Sequence, residues 1–202
     1  MNCFAMSAPR DLTQTSAPPS EEVIHCRGER FRRYLDADTI GERVEELGAA
    51  ISRAYAGQTP ILISVLNGAF MFTADLMRAI EIDCEVDFMK LSSYGDEKVS
   101  SGQVHELKKI DASLDGRHVI VVEDIVDTGL SMEFILERLG VYNPASLRVA
   151  TLLHKPDSTE ANLQLDYVGF EIPDLFVIGY GLDYGQIARN FPSIYILDEG
   201  SE

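Results

Sequence analysis

A parallel α/β sheet flanked by helices is the fold class this sequence predicts, on three observations. Residues 61–66 (ILISVL) and 117–125 (RHVIVVEDI) contain short apolar runs, the pattern of strands buried on both faces. Segments with helical spacing lie between such runs. Strand–helix alternation through the middle of the chain favours parallel pairing with right-handed crossovers. The 202 residues suit one domain with a full hydrophobic core.

The elements follow in order. Residues 1–20 are rich in Ser, Thr, Pro and Ala without an apolar period, and read as a disordered tail. Residues 21–202 then form the single domain, and Met6 is an alternative start. From about Asp36, the apolar positions Ile40, Val44, Leu47, Ile51 and Tyr55 repeat at helical spacing. Asp36 or Asp38 can cap that helix, and Gly57 can end it. The strand 61–66 follows Pro60, and the turn Asn67-Gly68-Ala69 leads into a second helix, FMFTADLMRAI. Residues 84–94 alternate as a strand does, and the polar stretch 95–103 reads as a mobile loop with a strand, VHELKKI, beyond it. The strongest strand, 117–125, precedes a helix, SMEFILERLG, that ends near Gly140. SLRVATLLHK (146–155) is a further strand, and short strands with turns fill the remainder.

Composition excludes several classes. The chain is 46% hydrophobic and 25% charged, as globular proteins are. No apolar run approaches the ~18 residues of a membrane span, and no basic region with an apolar block marks a secretory signal. The three cysteines, Cys3, Cys26 and Cys84, show no disulfide or zinc spacing, so a cytoplasmic location is expected. The net charge of −16 repels nucleic acid, so no nucleic-acid partner is expected. A phosphate substrate would then need local help from a metal ion, placed Lys or Arg residues, or helix-terminal amides.

The chemistry concentrates in VIVVEDIVDTGLS (119–131). An apolar strand ends in Glu123 and Asp124; Asp127, Thr128, Gly129, Leu130 and Ser131 then lead into a helix. In open α/β sheets, ligands bind beyond the carboxyl ends of the strands. Small residues at a helix N-terminus offer amides and hydroxyls to a phosphate. Adjacent carboxylates can meet a sugar diol and hold magnesium. Asp127 lies between these subsites, where a proton could be exchanged.

This segment resembles the thirteen-residue signature of the type I phosphoribosyltransferases, in its hypoxanthine-guanine form. Supporting segments occur in the family's order: LNGAF (66–70), SSYG (92–95), LLHKP (152–156) and FVIGYGLDY (176–184), followed by Arg189. The resemblance covers roughly residues 38–198. It implies a central parallel twisted sheet flanked by helices, with a small hood subdomain. It also implies transfer of a phosphoribosyl group from phosphoribosyl pyrophosphate to hypoxanthine or guanine, with Mg2+, by a homodimer or homotetramer.

Residue by residue, the resemblance assigns Glu123 and Asp124 to the ribose hydroxyls and the metal. Asp127 becomes the general base or acid near purine N7 and, with Thr128, Gly129, Leu130 and Ser131, frames the 5′-phosphate. Lys155 donates to the purine O6, Phe176 stacks on the ring with Ile125 on the other face, and Val177 reads the base through its backbone. Asp183 is counted with the purine-binding residues and binds a second magnesium that also touches pyrophosphate. Asn67, Gly68, Ser93, Tyr94 and Arg189 meet the pyrophosphate, with a cis peptide expected at Leu66–Asn67. Many relatives carry Lys or Arg where Asn67 stands, which predicts weaker pyrophosphate binding here.

Rival readings are a regulator on the same fold that binds a nucleotide or RNA, a transferase for another base, and a synthase of the pyrophosphorylated sugar. The scarcity of basic residues opposes the first. Lys155 with the 176–183 segment opposes the second, and the third needs an ATP site and usually a longer chain.

Overall fold

The computed structural model describes residues 22–93, 104–108 and 110–198. The expected tail (1–20), the expected loop (95–103) and Tyr94 therefore lie outside the described residues. Among the described residues, ten strands and three helices run in the order β1 (Val23–Cys26), β2 (Glu29–Leu35), α1 (Ala37–Ala54), β3 (Ile61–Leu66), α2 (Phe70–Ala79), β4 (Glu85–Ser93), β5 (Val104–Lys108), β6 (His118–Val126), α3 (Leu130–Gly140), β7 (Ser146–His154), β8 (Tyr167–Glu171), β9 (Val177–Ile178) and β10 (Ile194–Leu197).

The larger sheet has the order β5-β4-β3-β6-β7-β8. Its last five strands are mutually parallel, and β5 adds an antiparallel edge. The apolar runs at its centre bury both faces, and the two faces form separate cores. Leu62, Ile120, Val122 and Leu152 pack with α1 and α2. Ile61, Ile63, Val119 and Val121 pack with Met132, Ile135 and Leu139 of α3. Alternate residues of each strand point to opposite faces, so one strand serves two helix layers.

α1 starts where Asp36 accepts a hydrogen bond from the Thr39 amide at 2.8 Å. It ends at Tyr55, two residues before Gly57 with its φ of +76°. α1 and α2 approach closely at Gly48, where a Cβ would sit 2.5 Å from that of Ala79.

A second, antiparallel sheet, β1-β2-β10-β9, is assembled from both ends of the described chain. It has its own small core of Cys26, Phe31, Ile178, Ala188 and Tyr195. This is the hood that the family resemblance implies. Its two N-terminal strands had no counterpart in the sequence reading. Among the described residues, no helix is long and apolar enough to cross a membrane.

Candidate active site

Parallel pairing brings the carboxyl ends of β3, β4, β6 and β7 to one edge of the sheet. Leu66 pairs with Lys90, and Val126 pairs with His154. The turns that follow these strands carry most of the residues singled out from sequence.

The elbow after β6 is built around Gly129, whose φ of +83° caps α3. A side chain there would also meet Leu163 at 2.8 Å. The first turn of a helix has amides without helical partners. In α3 these follow Gly129, beside a cavity of about 100 Å³ lined by Glu123, Ile125, Asp127, Thr128, Gly129 and Ser131 among others. The segment after β7 braces the elbow: Thr159 donates to the Asp127 carbonyl at 2.8 Å, and the Glu160 amide donates to the Thr128 carbonyl at 3.0 Å.

Glu123 and Asp124 sit at the strand end. Burial pushes the Glu123 carboxyl well up, and the adjacent Asp124 charge adds to the rise. Burial also raises Asp124, against a lowering hydrogen bond with Glu123. Asp124 lies over the turn after β3, so that a Cβ on Gly68 would fall 1.7 Å from Asp124 Oδ2. That turn carries the expected cis peptide, Leu66–Asn67. Gly181, at a φ of +98°, closes the turn from the opposite side, since its Cβ would lie 2.1 Å from the Gly68 carbonyl. A side chain at 68 would therefore displace the Asp124 carboxylate, and glycine is required at 181 by both close approach and φ.

Lys155 follows β7 and is only 7% exposed. Its ammonium donates to Asp127 Oδ2 at 3.0 Å and to Asp174 Oδ1 at 2.8 Å. Burial opposes the charge, but hydrogen bonds to Asp174 and Asp127 outweigh it and raise the Lys155 pKa. Lys155 is thus a buried, doubly paired cation and no solvated strand-end lysine. Asp174, between β8 and β9, was missed by sequence reasoning; it stands alone in its segment, and only the fold brings it to Lys155.

Phe176 is 47% exposed, with Tyr184 edge-on at 5.3 Å and Phe31 tilted at 6.2 Å. Val177 is buried in β9. Arg189 donates to the Gly181 carbonyl at 2.7 Å and pairs with Asp183 at 2.6 Å. These two side chains, assigned to pyrophosphate and metal, engage each other. Asp183 also accepts from the Gln186 amide. Ser93 ends β4, and Tyr94 lies beyond the described residues, so the two stay outside this geometry.

Asp87, inside β4, was also missed. It accepts from the amides of Phe88, Asp111 and Ala112 and from Lys108 Nζ, at 2.6 to 3.0 Å. It ties β4 to the chain returning after β5. Burial would push its carboxyl up, but these hydrogen bonds prevail and hold it down at about 2.

Comparison with known proteins agrees with this architecture. A family model for the phosphoribosyl transferase domain matches residues 32–185. A hypoxanthine-guanine phosphoribosyltransferase of Mycobacterium tuberculosis is 46% identical over 195 residues, covering 93% of this chain and 96% of that one. The protein of that name from Bacillus subtilis is 43% identical, over 81% of this chain and 91% of its own. A crystal structure of a hypoxanthine-guanine phosphoribosyltransferase from Bacillus anthracis superposes with a TM-score of 0.78 at 40% identity, covering 82% of this chain and 98% of that one. The chain belongs to the phosphoribosyltransferase family, in its hypoxanthine-guanine branch.

Proposed function

We propose that this chain joins a 6-oxopurine, hypoxanthine or guanine, to the ribose of phosphoribosyl pyrophosphate and releases pyrophosphate, a step of purine salvage. The observation that carries the reading is the pairing of Lys155 Nζ with Asp127 Oδ2 at 3.0 Å beside the elbow. O6 and N7 share one edge of a purine. A 6-oxopurine protonated at N7 offers an acceptor and a donor side by side. An ammonium next to a carboxylate is the complementary pair. Adenine presents an amino donor at that position and would leave Lys155 facing another donor.

In the reaction, a purine ring nitrogen forms its bond to C1 of the ribose as the bond from C1 to the pyrophosphate oxygen breaks. The N7 proton passes to Asp127, which lies at the lip of the cavity. The amides and hydroxyls of residues 128–131 hold the 5′-phosphate, with no further cation required. Phe176 offers a half-exposed ring to the base, and Ile125 is among the residues that line the cavity. Val177 contributes its backbone. Gly68 brings a backbone amide to the pyrophosphate, and Arg189 brings charge-assisted donors. Ser93 and Tyr94 are assigned there by family resemblance.

Glu123 and Asp124 fit a magnesium ion. They are adjacent, half-buried carboxylates whose charged forms are disfavoured by burial and, at Glu123, by mutual repulsion. A hard cation relieves both. An ion held by these two carboxylates would take its remaining ligands from substrate and water. Asp183 is assigned to a second ion. When bound, magnesium neutralises and orients the leaving pyrophosphate. We assign the enzyme to the cytoplasm, as a homodimer or homotetramer.

A spectrophotometric assay tests the reading by offering each purine with phosphoribosyl pyrophosphate, with and without magnesium. Turnover of hypoxanthine or guanine that needs magnesium is expected, with adenine far slower. Preference for adenine or a pyrimidine, or no turnover at all, would contradict it.

A further inference from the structure

Asn67 leaves the turn after β3 without a positive charge of its own. The neighbouring strand provides one. β3 and β4 are parallel, and Lys90 lies opposite Leu66 in register. Lys90 Nζ donates to Asn67 Oδ1 at 3.4 Å. That turn is backed onto the reaction site on two sides, by Asp124 over Gly68 and by Gly181 against the Gly68 carbonyl.

The pairing of Lys90 differs from that of the other cations around the site. Lys155 is held by two carboxylates, Lys108 by Asp87, and Arg189 by Asp183. Among the described residues, Lys90 hydrogen-bonds only an amide oxygen. Its charge is therefore not neutralised by those groups. In a chain of net charge −16, an ammonium so placed is available to an anion from outside.

We infer that Lys90 binds the pyrophosphate group of phosphoribosyl pyrophosphate, delivering from β4 the cation that the turn at Asn67 lacks. Asn67 orients the ammonium through its amide oxygen. The inference rests on the transferase reading of the site. It also revises the expectation of weak pyrophosphate binding, because the charge has moved strand and has not been lost.

The test compares the wild type with Lys90→Met, Lys90→Arg, Asn67→Lys and the double variant Asn67→Lys/Lys90→Met. The readouts are product inhibition by pyrophosphate, KM for each substrate, and IMP affinity. Lys90→Met is expected to weaken pyrophosphate inhibition and raise the phosphoribosyl pyrophosphate KM about tenfold, the loss of one charge-assisted contact. IMP affinity and hypoxanthine KM stay within about twofold, since neither involves the pyrophosphate turn. Lys90→Arg retains most of the affinity. In the double variant Asn67→Lys restores most of the loss caused by Lys90→Met, as one cation replaces another. Unchanged pyrophosphate inhibition in Lys90→Met overturns the inference. So does an equal loss of IMP and pyrophosphate affinity, which marks a structural role. If the wild type turns over no purine, the transferase reading fails. Calorimetric titration of magnesium pyrophosphate onto wild type and Lys90→Met then still decides, and equal affinities overturn the role of Lys90.

Discussion

At the scale of the residue, the site turns on how one lysine is shared. Lys155 bridges Asp127 and Asp174, and both carboxylates reach solvent while the lysine side chain is largely buried. Replacing Asp127 by Asn keeps the volume and a hydrogen-bonding oxygen but removes the base. Turnover is expected to fall about 10²–10⁴-fold, the usual contribution of a positioned general base. Thermal unfolding should change little, because Asp127 is half-exposed and Lys155 keeps Asp174. Wild-type turnover in that variant would remove Asp127 from the role. Lys155→Met tests recognition instead. The preference for hypoxanthine over adenine in kcat/KM should drop by at least about tenfold, because the donor that rejects an amino group is gone. An unchanged ratio would place discrimination elsewhere. The motif around Lys155 was enough to single it out as a site candidate. Its burial and its link to Asp174 were not, since the contact spans 19 residues and exists only once β8 has paired with β7.

At the scale of the element, Asp87 shows how a strand anchors a neighbouring segment. Two amides, of Asp111 and Ala112, donate to this one carboxylate and pin the chain that returns after β5, and Lys108 of β5 adds a third link. A carboxyl held at about 2, below its ordinary 3.8, favours the folded state whenever it is ionised. The gain, about 2 kcal/mol, is complete above pH ~4 and is lost as the pH falls from there towards 2. Asp87→Asn should therefore cost about 2 kcal/mol at neutral pH, with the gap to wild type closing below pH 4. Denaturant unfolding at several pH values checks this; a gap independent of pH would show that ionisation of Asp87 is not the source. The sequence offered Asp87 only as an outward position in an alternating strand. The other elements were largely legible, because apolar runs and 3.6-residue spacing reflect burial directly. β2 escaped because its fully buried residues, Phe31 and Leu35, stand four apart among charges and so mimic a helix. β9 is only two residues long because Gly179 and Gly181 turn the chain at positive φ straight after it.

At the scale of the whole molecule, two sheets from separate parts of the chain face one site. The larger sheet presents the elbow, the turn at Asn67 and Lys155 at one edge. The hood contributes Phe176, Val177 and, just beyond β9, the segment with Asp183 and Arg189. Local patterns could not reveal that β2 pairs with β10, since 158 or more residues lie between partners such as Leu35 and Ile194. The elbow itself was legible, since its glycine, hydroxyls and carboxylates lie within thirteen consecutive residues. On the proposed reading, the strongly acidic chain would meet its anionic substrate through amides and a few placed cations. The most direct test is a ¹H–¹⁵N spectrum of the protein titrated with IMP. The account predicts that the amides of Thr128, Gly129, Leu130 and Ser131 shift most and saturate together. IMP binding that leaves those four amides unmoved would contradict it.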